Sequence, residues 1–161
     1  MTGASGSGKT SVFTPLAQRL AGRCITFDVD WLLDAAGELS QASSVEAIDV
    51  SAFRSAWLSV AHGVAQCGMP TLLLGPLIPE HLEGLSARKW VGEIYFLLLD
   101  CPDEIRRDRL LARPPWRSRD IEAQITFGCW LRANIDARVD TSHGRPENSA
   151  DAIARWVLRQ I

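Results

Sequence analysis

Gly3-Ala4-Ser5-Gly6-Ser7-Gly8-Lys9-Thr10 matches the pattern G-x-x-x-x-G-K-[ST] at every fixed position. Glycines let successive backbone N–H groups turn inward around phosphate oxygens, and a helix starting near Gly8 adds the positive end of its dipole. In such a loop the lysine reaches the β- and γ-phosphates and the hydroxyl residue faces Mg²⁺. Gly3, Ser5, Gly6, Ser7, Gly8, Lys9, Thr10 and Ser11 are therefore the candidate phosphate-binding residues. A chance match in a chain of this length is on the order of one in a hundred or less. Lysine is also rare here: only Lys9 and Lys89 are lysines among 17 basic residues. A dinucleotide-binding turn is disfavoured, because Lys-Thr stands where that turn needs its close-packing third glycine. Pro15 falls inside the expected helix and should kink it or loosen the bond to Ser11.

Outward from the loop, the chain alternates strand and helix signals. Apolar runs at 24–27, 71–74 and 94–99, and a weaker one at 137–139, each end in turn chemistry or an acidic residue. Continuous apolar runs of this length suit strands buried on both faces of a parallel sheet. Helical patterns fall at 9–20, 31–36, 45–66, 79–89, 103–112, 121–132 and 148–160. The alternation predicts a three-layer α/β fold with a parallel sheet of four to five strands. A strand should also lead into Gly3, yet only Met1 and Thr2 precede it. The sheet is thus expected to lack its first, central strand, with Met1 an internal residue of a longer natural chain. Its two neighbours would then stand about 9.6 Å apart with unpaired edges.

Phe27-Asp28-Val29-Asp30 ends the second strand signal, where side chains project into the ligand crevice of an open α/β sheet. Asp28 is assigned to the metal side with Thr10, and Asp30, further out, to accepting a proton from a substrate hydroxyl. Asp30 could equally cap the helix that follows, and the two roles are compatible. Arg106, Arg107, Arg109, Arg113, Arg117 and Arg119 crowd into fourteen residues. Guanidinium groups on a closing lid stabilise the charge of phosphoryl transfer, a role assigned to Arg113 and Arg117 on a lid around 113–120. Arg106 and Arg107 read as an exposed charged helix with Asp103, Glu104 and Asp108 as partners. Leu74-Gly75-Pro76 offers no Walker B carboxylate. Gly75 would let a substrate approach the backbone, and Arg54 is a candidate anchor or a surface charge. Trp31 and Trp57 read as core more than pocket.

The 161 residues suit one domain, 1–161, and 47% hydrophobic with 22% charged residues excludes a disordered chain. With 17 basic against 19 acidic residues, the chain lacks the basic excess of a nucleic-acid binder. Four cysteines lack CxxC pairing, and three lie in apolar runs, which reads as buried thiols in a reducing compartment. No leader and no membrane-length apolar stretch occurs, so a cytoplasmic location is expected. The three histidines show no metal-ligand spacing.

With these residues in place, the chain resembles the P-loop small-molecule kinases, the group of P-loop NTPases holding shikimate, gluconate and nucleoside kinases and chloramphenicol phosphotransferase. Phe27-Asp28-Val29-Asp30 resembles the acidic motif of shikimate kinases; Phe53-Arg54 with Trp57 resembles the chloramphenicol phosphotransferase subgroup. Cys101-Pro102 with Arg109 and Arg113-Pro114 is similar to the fourth strand, helix and lid of these kinases, and Val139-Asp140-Thr141-Ser142 to their last strand. The loop after that strand usually borders the adenine. The resemblance implies ATP and Mg²⁺ as cofactors, Asp30 as base, and phosphorylation of a small-molecule hydroxyl. Chloramphenicol phosphotransferases carry acidic residues where Gly75-Pro76 stands, so that acceptor is not implied. The alternative is a nucleotide-binding sensor or degenerate ATPase that transfers nothing. The residues specify neither the acceptor nor an oligomeric state.

Overall fold

The computed structural model describes residues 1–32, 49–114 and 120–161. Helix α1 (Lys9–Leu20) springs directly from the phosphate loop and continues through Pro15 without a break. Strands β1 (Ile25–Asp28) and β2 (Thr71–Leu74) flank helix α2 (Val50–Gln66) in sequence. Strand β3 (Leu98–Asp100), helices α3 (Asp103–Leu111) and α4 (Ile121–Asn134), strand β4 (Arg138–Asp140) and helix α5 (Pro146–Val157) complete the order.

Several boundaries differ from the sequence reading, each for a local reason. Helix α2 starts at Val50 because Asp49 caps it, its Oδ1 accepting from Ser51 N and Ala52 N at 3.0 Å each; residues 45–48 lie outside the described residues. The helix expected at 31–36 is represented by a 3₁₀ turn, Val29–Leu32, and residues 33–36 are not described. The stretch 79–89 is not one helix but two 3₁₀ turns, Pro79–His81 and Ser86–Trp90. Gly84 lies between them at φ 75°, a left-handed conformation that ends a helical run. The apolar run 94–99 pairs only from Leu98, while Ile94 and Phe96 pack on Leu58, Leu82 and Ala87. Cys24 and Cys101 are buried and Cys67 and Cys129 exposed, all four as free thiols; apolar neighbours overstated the burial.

β1 pairs with β2 in parallel, Ile25 opposite Thr71, and β3 pairs with β4 in parallel, Leu98 opposite Arg138. Met1 and Thr2 stand between the pairs. The Met1 amino group donates to Leu73 O at 2.8 Å and Gly75 N donates to Met1 O at 3.2 Å. On the other side Thr2 N donates to Leu97 O, and Leu99 N to Thr2 O, at 2.8 Å each. The order is β1, β2, the Met1–Thr2 bridge, β3, β4, so β2 and β3 do not close into one ladder. Beside β2 opens an apolar cleft of about 420 Å³, lined by Leu73, Ile94, Phe96 and Trp156 among others.

Helices cover both faces. Val12, Leu16 and Leu20 of α1 join Leu97 and Leu99 of the sheet and Ile153 and Val157 of α5 in one core cluster. Leu98, which alternates to the other face, packs with Leu131 and Ile135. Each of these fully buried aliphatic side chains contributes about 1.5–3 kcal/mol. The layering sets the loop before α1 beside the carboxyl ends of β1, β3 and β4, where ligands bind in open α/β sheets. No helix among the described residues is long and apolar enough to cross a membrane.

Candidate functional site

The loop 3–8 makes a tight turn that only its glycines permit. Gly6 and Gly8 adopt φ 84° and 88°, and a Cβ on Gly3 would lie 2.7 Å from the backbone oxygen of Leu99. Gly8 is the N-cap of α1 and offers no capping side chain. The first rung of the helix ladder is Val12 N to Gly8 O at 3.1 Å. The N–H groups of Lys9, Thr10 and Ser11 therefore lack intrahelical acceptors and point along the dipole axis into the loop. Their geometry suits an anion.

The outward face of the loop is tied down by side chains from elsewhere. Arg106 Nη1 donates to Ser5 O and Arg109 Nη1 to Gly6 O, each at 3.2 Å. The Thr141 hydroxyl donates to Ser7 O at 2.9 Å, and Ser5 N donates to Gln124 Oε1 at 2.8 Å. Lys9 Nζ donates to Gly3 O at 2.6 Å and Ala4 O at 3.3 Å. Loss of water pushes the Lys9 ammonium down to about 8, against the opposing pull of Asp30 and Asp28.

Above the loop opens a cavity of about 610 Å³. Residues 5–12 form its floor, and Asp30, Arg109, Arg113, Thr141 and the stretch 144–146 with Ser149 form its walls. A polar cavity of this size, with orphan N–H donors at one end, matches the dimensions of a ligand pocket and fits a nucleoside triphosphate. Thr10 is exposed at the first turn of α1. Mg²⁺ usually keeps several waters and takes one or two carboxylates beside substrate phosphates, a demand that Thr10 and the neighbouring acidic pair can meet. Among the described residues no cluster of three or more His, Cys, Asp or Glu side chains stands ready for a metal.

The acidic pair ends β1 and opens the 3₁₀ turn that follows it. Asp28 is buried at the end of β1, and its Oδ1 accepts from Asp30 N at 3.0 Å. Asp28 therefore caps the start of the 3₁₀ turn, and the exposed Asp30 stands on the cavity wall. Arg113 joins the same wall. Arg117 lies outside the described residues. Arg54 is half-buried on α2, off this cavity, and burial lowers its pKa. Gly75 makes a close approach to the protein itself, since a Cβ there would lie 2.1 Å from Val29 Cγ2. Trp57 is core, its Nε1 donating to Val29 O at 3.2 Å, whereas Trp31 is exposed and stands edge-on to Phe13.

The largest correction is Arg106. It is fully buried, its Nη2 donating to Asp100 Oδ1 at 2.7 Å, whereas an exposed helix face was expected. Arg107 does lie on that exposed face, paired with Glu122. Gln124 and the 144–146 stretch were also missed. A signal for Arg106 does exist in the sequence: it shares the inward stripe of α3 with Leu110, four residues on.

A family model described as chloramphenicol phosphotransferase-like protein matches residues 1–158. Among solved structures, the tunicamycin resistance protein of Deinococcus radiodurans superposes with a TM-score of 0.72 at 19% identity, covering 97% of this chain and 92% of that one. An unliganded sugar kinase from Janibacter sp. HTCC2649 gives 0.68 at 17% identity, over 97% and 91%. A shikimate kinase from Acinetobacter baumannii, solved with shikimate, gives 0.56 at 18% identity, over 99% and 91%. No curated protein matches the sequence at a significant level. These likenesses are likenesses of fold over nearly the whole chain. The chain belongs to the chloramphenicol phosphotransferase-like family of P-loop small-molecule kinases.

Proposed function

We propose that this protein transfers the γ-phosphoryl group of ATP to a hydroxyl of a small molecule. One observation carries the reading: the orphan N–H groups of the loop, Lys9 and the Asp30 carboxylate all face one cavity of about 610 Å³. In the reaction, the acceptor oxygen bonds to the γ-phosphorus as the bond to the β,γ-bridging oxygen breaks, giving a phosphate ester and ADP. Bound Mg²⁺ neutralises phosphate charge. The loop N–H groups and Lys9 hold the β- and γ-phosphates, with Gly3, Ser5, Gly6, Ser7, Gly8 and Ser11 shaping the cradle. Thr10 and Asp28 hold the metal side. Asp30 accepts the proton of the acceptor hydroxyl, and Arg113, joined by Arg117, offsets the charge spread over the transferring group.

The comparisons leave the acceptor open, since the neighbours are described as acting on unlike molecules. A screen of sugars, nucleosides, shikimate-like acids and nucleoside or phenicol antibiotics with ATP and Mg²⁺ tests the reading. Asp30→Asn should then lower turnover by about 100-fold or more and leave ATP affinity within a few fold. Undiminished turnover in that variant refutes the base assignment. Slow ATP hydrolysis, unmoved by any hydroxyl compound, would favour a nucleotide-binding module instead.

A further inference from the structure

The peptide bond is planar and trans, so a C=O fixed on one side aims the following N–H to the other. Ser5 O is held outward by Arg106 Nη1 at 3.2 Å, and this points Gly6 N–H into the cavity. The other side of the same residue is held too, by Ser5 N to Gln124 Oε1 at 2.8 Å. Ser5 is thus gripped at both ends, from α3 and from α4.

The grip is built around one buried cation. Besides Ser5 O, the Arg106 guanidinium meets Asp100 Oδ1 at 2.7 Å, Cys101 O at 3.5 Å and, through Nε, Asp103 Oδ1 at 3.8 Å. Two glycines make room for it. A Cβ on Gly128 would lie 3.1 Å from Nη2 and 3.2 Å from Cζ, and a Cβ on Gly6 would lie 3.2 Å from Arg106 Cγ. Buried ion pairs are often no more stabilising than apolar side chains of the same volume. What an apolar residue could not do is reach the loop carbonyl.

We propose that Arg106 is a positioning residue for phosphate binding: anchored by Asp100 and seated on Gly128, it works with Gln124 to preset the Ser5–Gly6 peptide. The inference rests on the reading of the loop as the nucleotide site. It assigns Arg106 no contact with the nucleotide; its effect passes through the direction of Gly6 N–H.

The test is calorimetric titration of the full chain with ATP-Mg²⁺ and with inorganic pyrophosphate, alongside thermal unfolding. Arg106→Lys keeps a cation beside Asp100 but loses the reach to Ser5 O. Asp100 retains Arg132 Nη1 at 3.3 Å, so the variant keeps a paired carboxylate. Gly128→Ala pushes the guanidinium from behind, touches neither loop nor ligand, and raises helix propensity. Both folded variants should bind ATP and pyrophosphate at least about tenfold more weakly, the scale of one charge-assisted hydrogen bond. They should raise KM for ATP while KM for the acceptor stays within twofold. A merely structural role would lower Tm and leave the affinity of the folded protein unchanged. Should Arg106→Lys not fold, Gly128→Ala decides alone. Wild-type affinity in the folded variants overturns the inference while the nucleotide reading stands. A wild-type chain that binds neither probe overturns both.

Discussion

Thr141→Val separates the hydroxyl of Thr141 from its shape. The hydroxyl lies 2.9 Å from Ser7 O, 3.1 Å from Asp100 O and 3.2 Å from Arg109 Nη1. It has one hydrogen, which the shorter contact assigns to Ser7 O, and it accepts from Arg109. Valine keeps the β-branch and the volume. Asp100 O keeps Thr141 N–H at 2.8 Å, and Arg109 keeps Thr141 O at 2.7 Å and Gly6 O at 3.2 Å. Ser7 O is the group that loses its donor, in a buried site where Ser7 itself is 0% exposed. A buried acceptor left unpaired costs about 1–3 kcal/mol. At the middle of that range Tm falls by roughly 4–8 °C for a chain of this size. Ser7 C=O also aims the N–H of Gly8, so ATP-Mg²⁺ should bind about tenfold more weakly. Thr141→Ser is the control, since it keeps the hydroxyl and loses one methyl worth about 0.8 kcal/mol. Differential scanning fluorimetry with and without ATP-Mg²⁺, with calorimetric titration, reads both effects. If Thr141→Val melts and binds like wild type, or Thr141→Ser is equally damaging, the hydroxyl does not organise the loop.

Three further outcomes are expected. Lys9 has its folded pKa pushed down to about 8, so below that pH it is already charged and phosphate binding takes up no proton. Above it, binding must first protonate Lys9, and affinity should fall by up to about tenfold per pH unit; titrations from pH 7 to 9.5 in buffers of different ionisation heat would show the proton uptake, and a flat profile contradicts it. Gly3→Ala places a Cβ 2.7 Å from Leu99 O and should cost about 1–3 kcal/mol by overpacking, visible as a lower Tm; an unchanged Tm means the backbone yields there freely. Arg107→Ala breaks an ion pair whose side chains are 44% and 72% exposed and should leave Tm nearly unchanged, because water and salt screen such a pair; a large loss of Tm would place Arg107 in the core after all.

The parts legible in the sequence are those set by local chemistry. The loop declares itself because the residues that let it turn lie within eight positions, and two of its glycines take the left-handed conformation. β2 matches its apolar run at both ends, since Gly75-Pro76 stops it. Where the reading failed, a local pattern was overridden by a partner distant in sequence or by a competing neighbour. The run at 94–99 is apolar because Ile94 and Phe96 face α2 and the turns after β2, which periodicity cannot distinguish from pairing. The helical pattern at 79–89 yields to Gly84, whose φ of 75° parts it into two 3₁₀ turns.

Arg106 and Arg107 make the limit concrete. They are adjacent, identical in type, and on one helix, yet one is fully buried and the other reaches Glu122 across open surface. A helix turns by about 100° per residue, so one position separates the inward stripe from solvent. Partners at i,i+4 lie along α3, but the main partner of Arg106 is Asp100, in β3, with Arg132 of α4 closing the network. What did point inward was the spacing itself. Arg106 stands four residues from Leu110, the other buried residue of α3, and a charged residue on an apolar stripe must find a counter-charge or not be there. Asp100, at the end of an apolar strand run, was the available carboxylate, and Gly128 the available space. Asp100 and Gly128, far apart in sequence from each other, together seat the buried arginine beneath the phosphate loop.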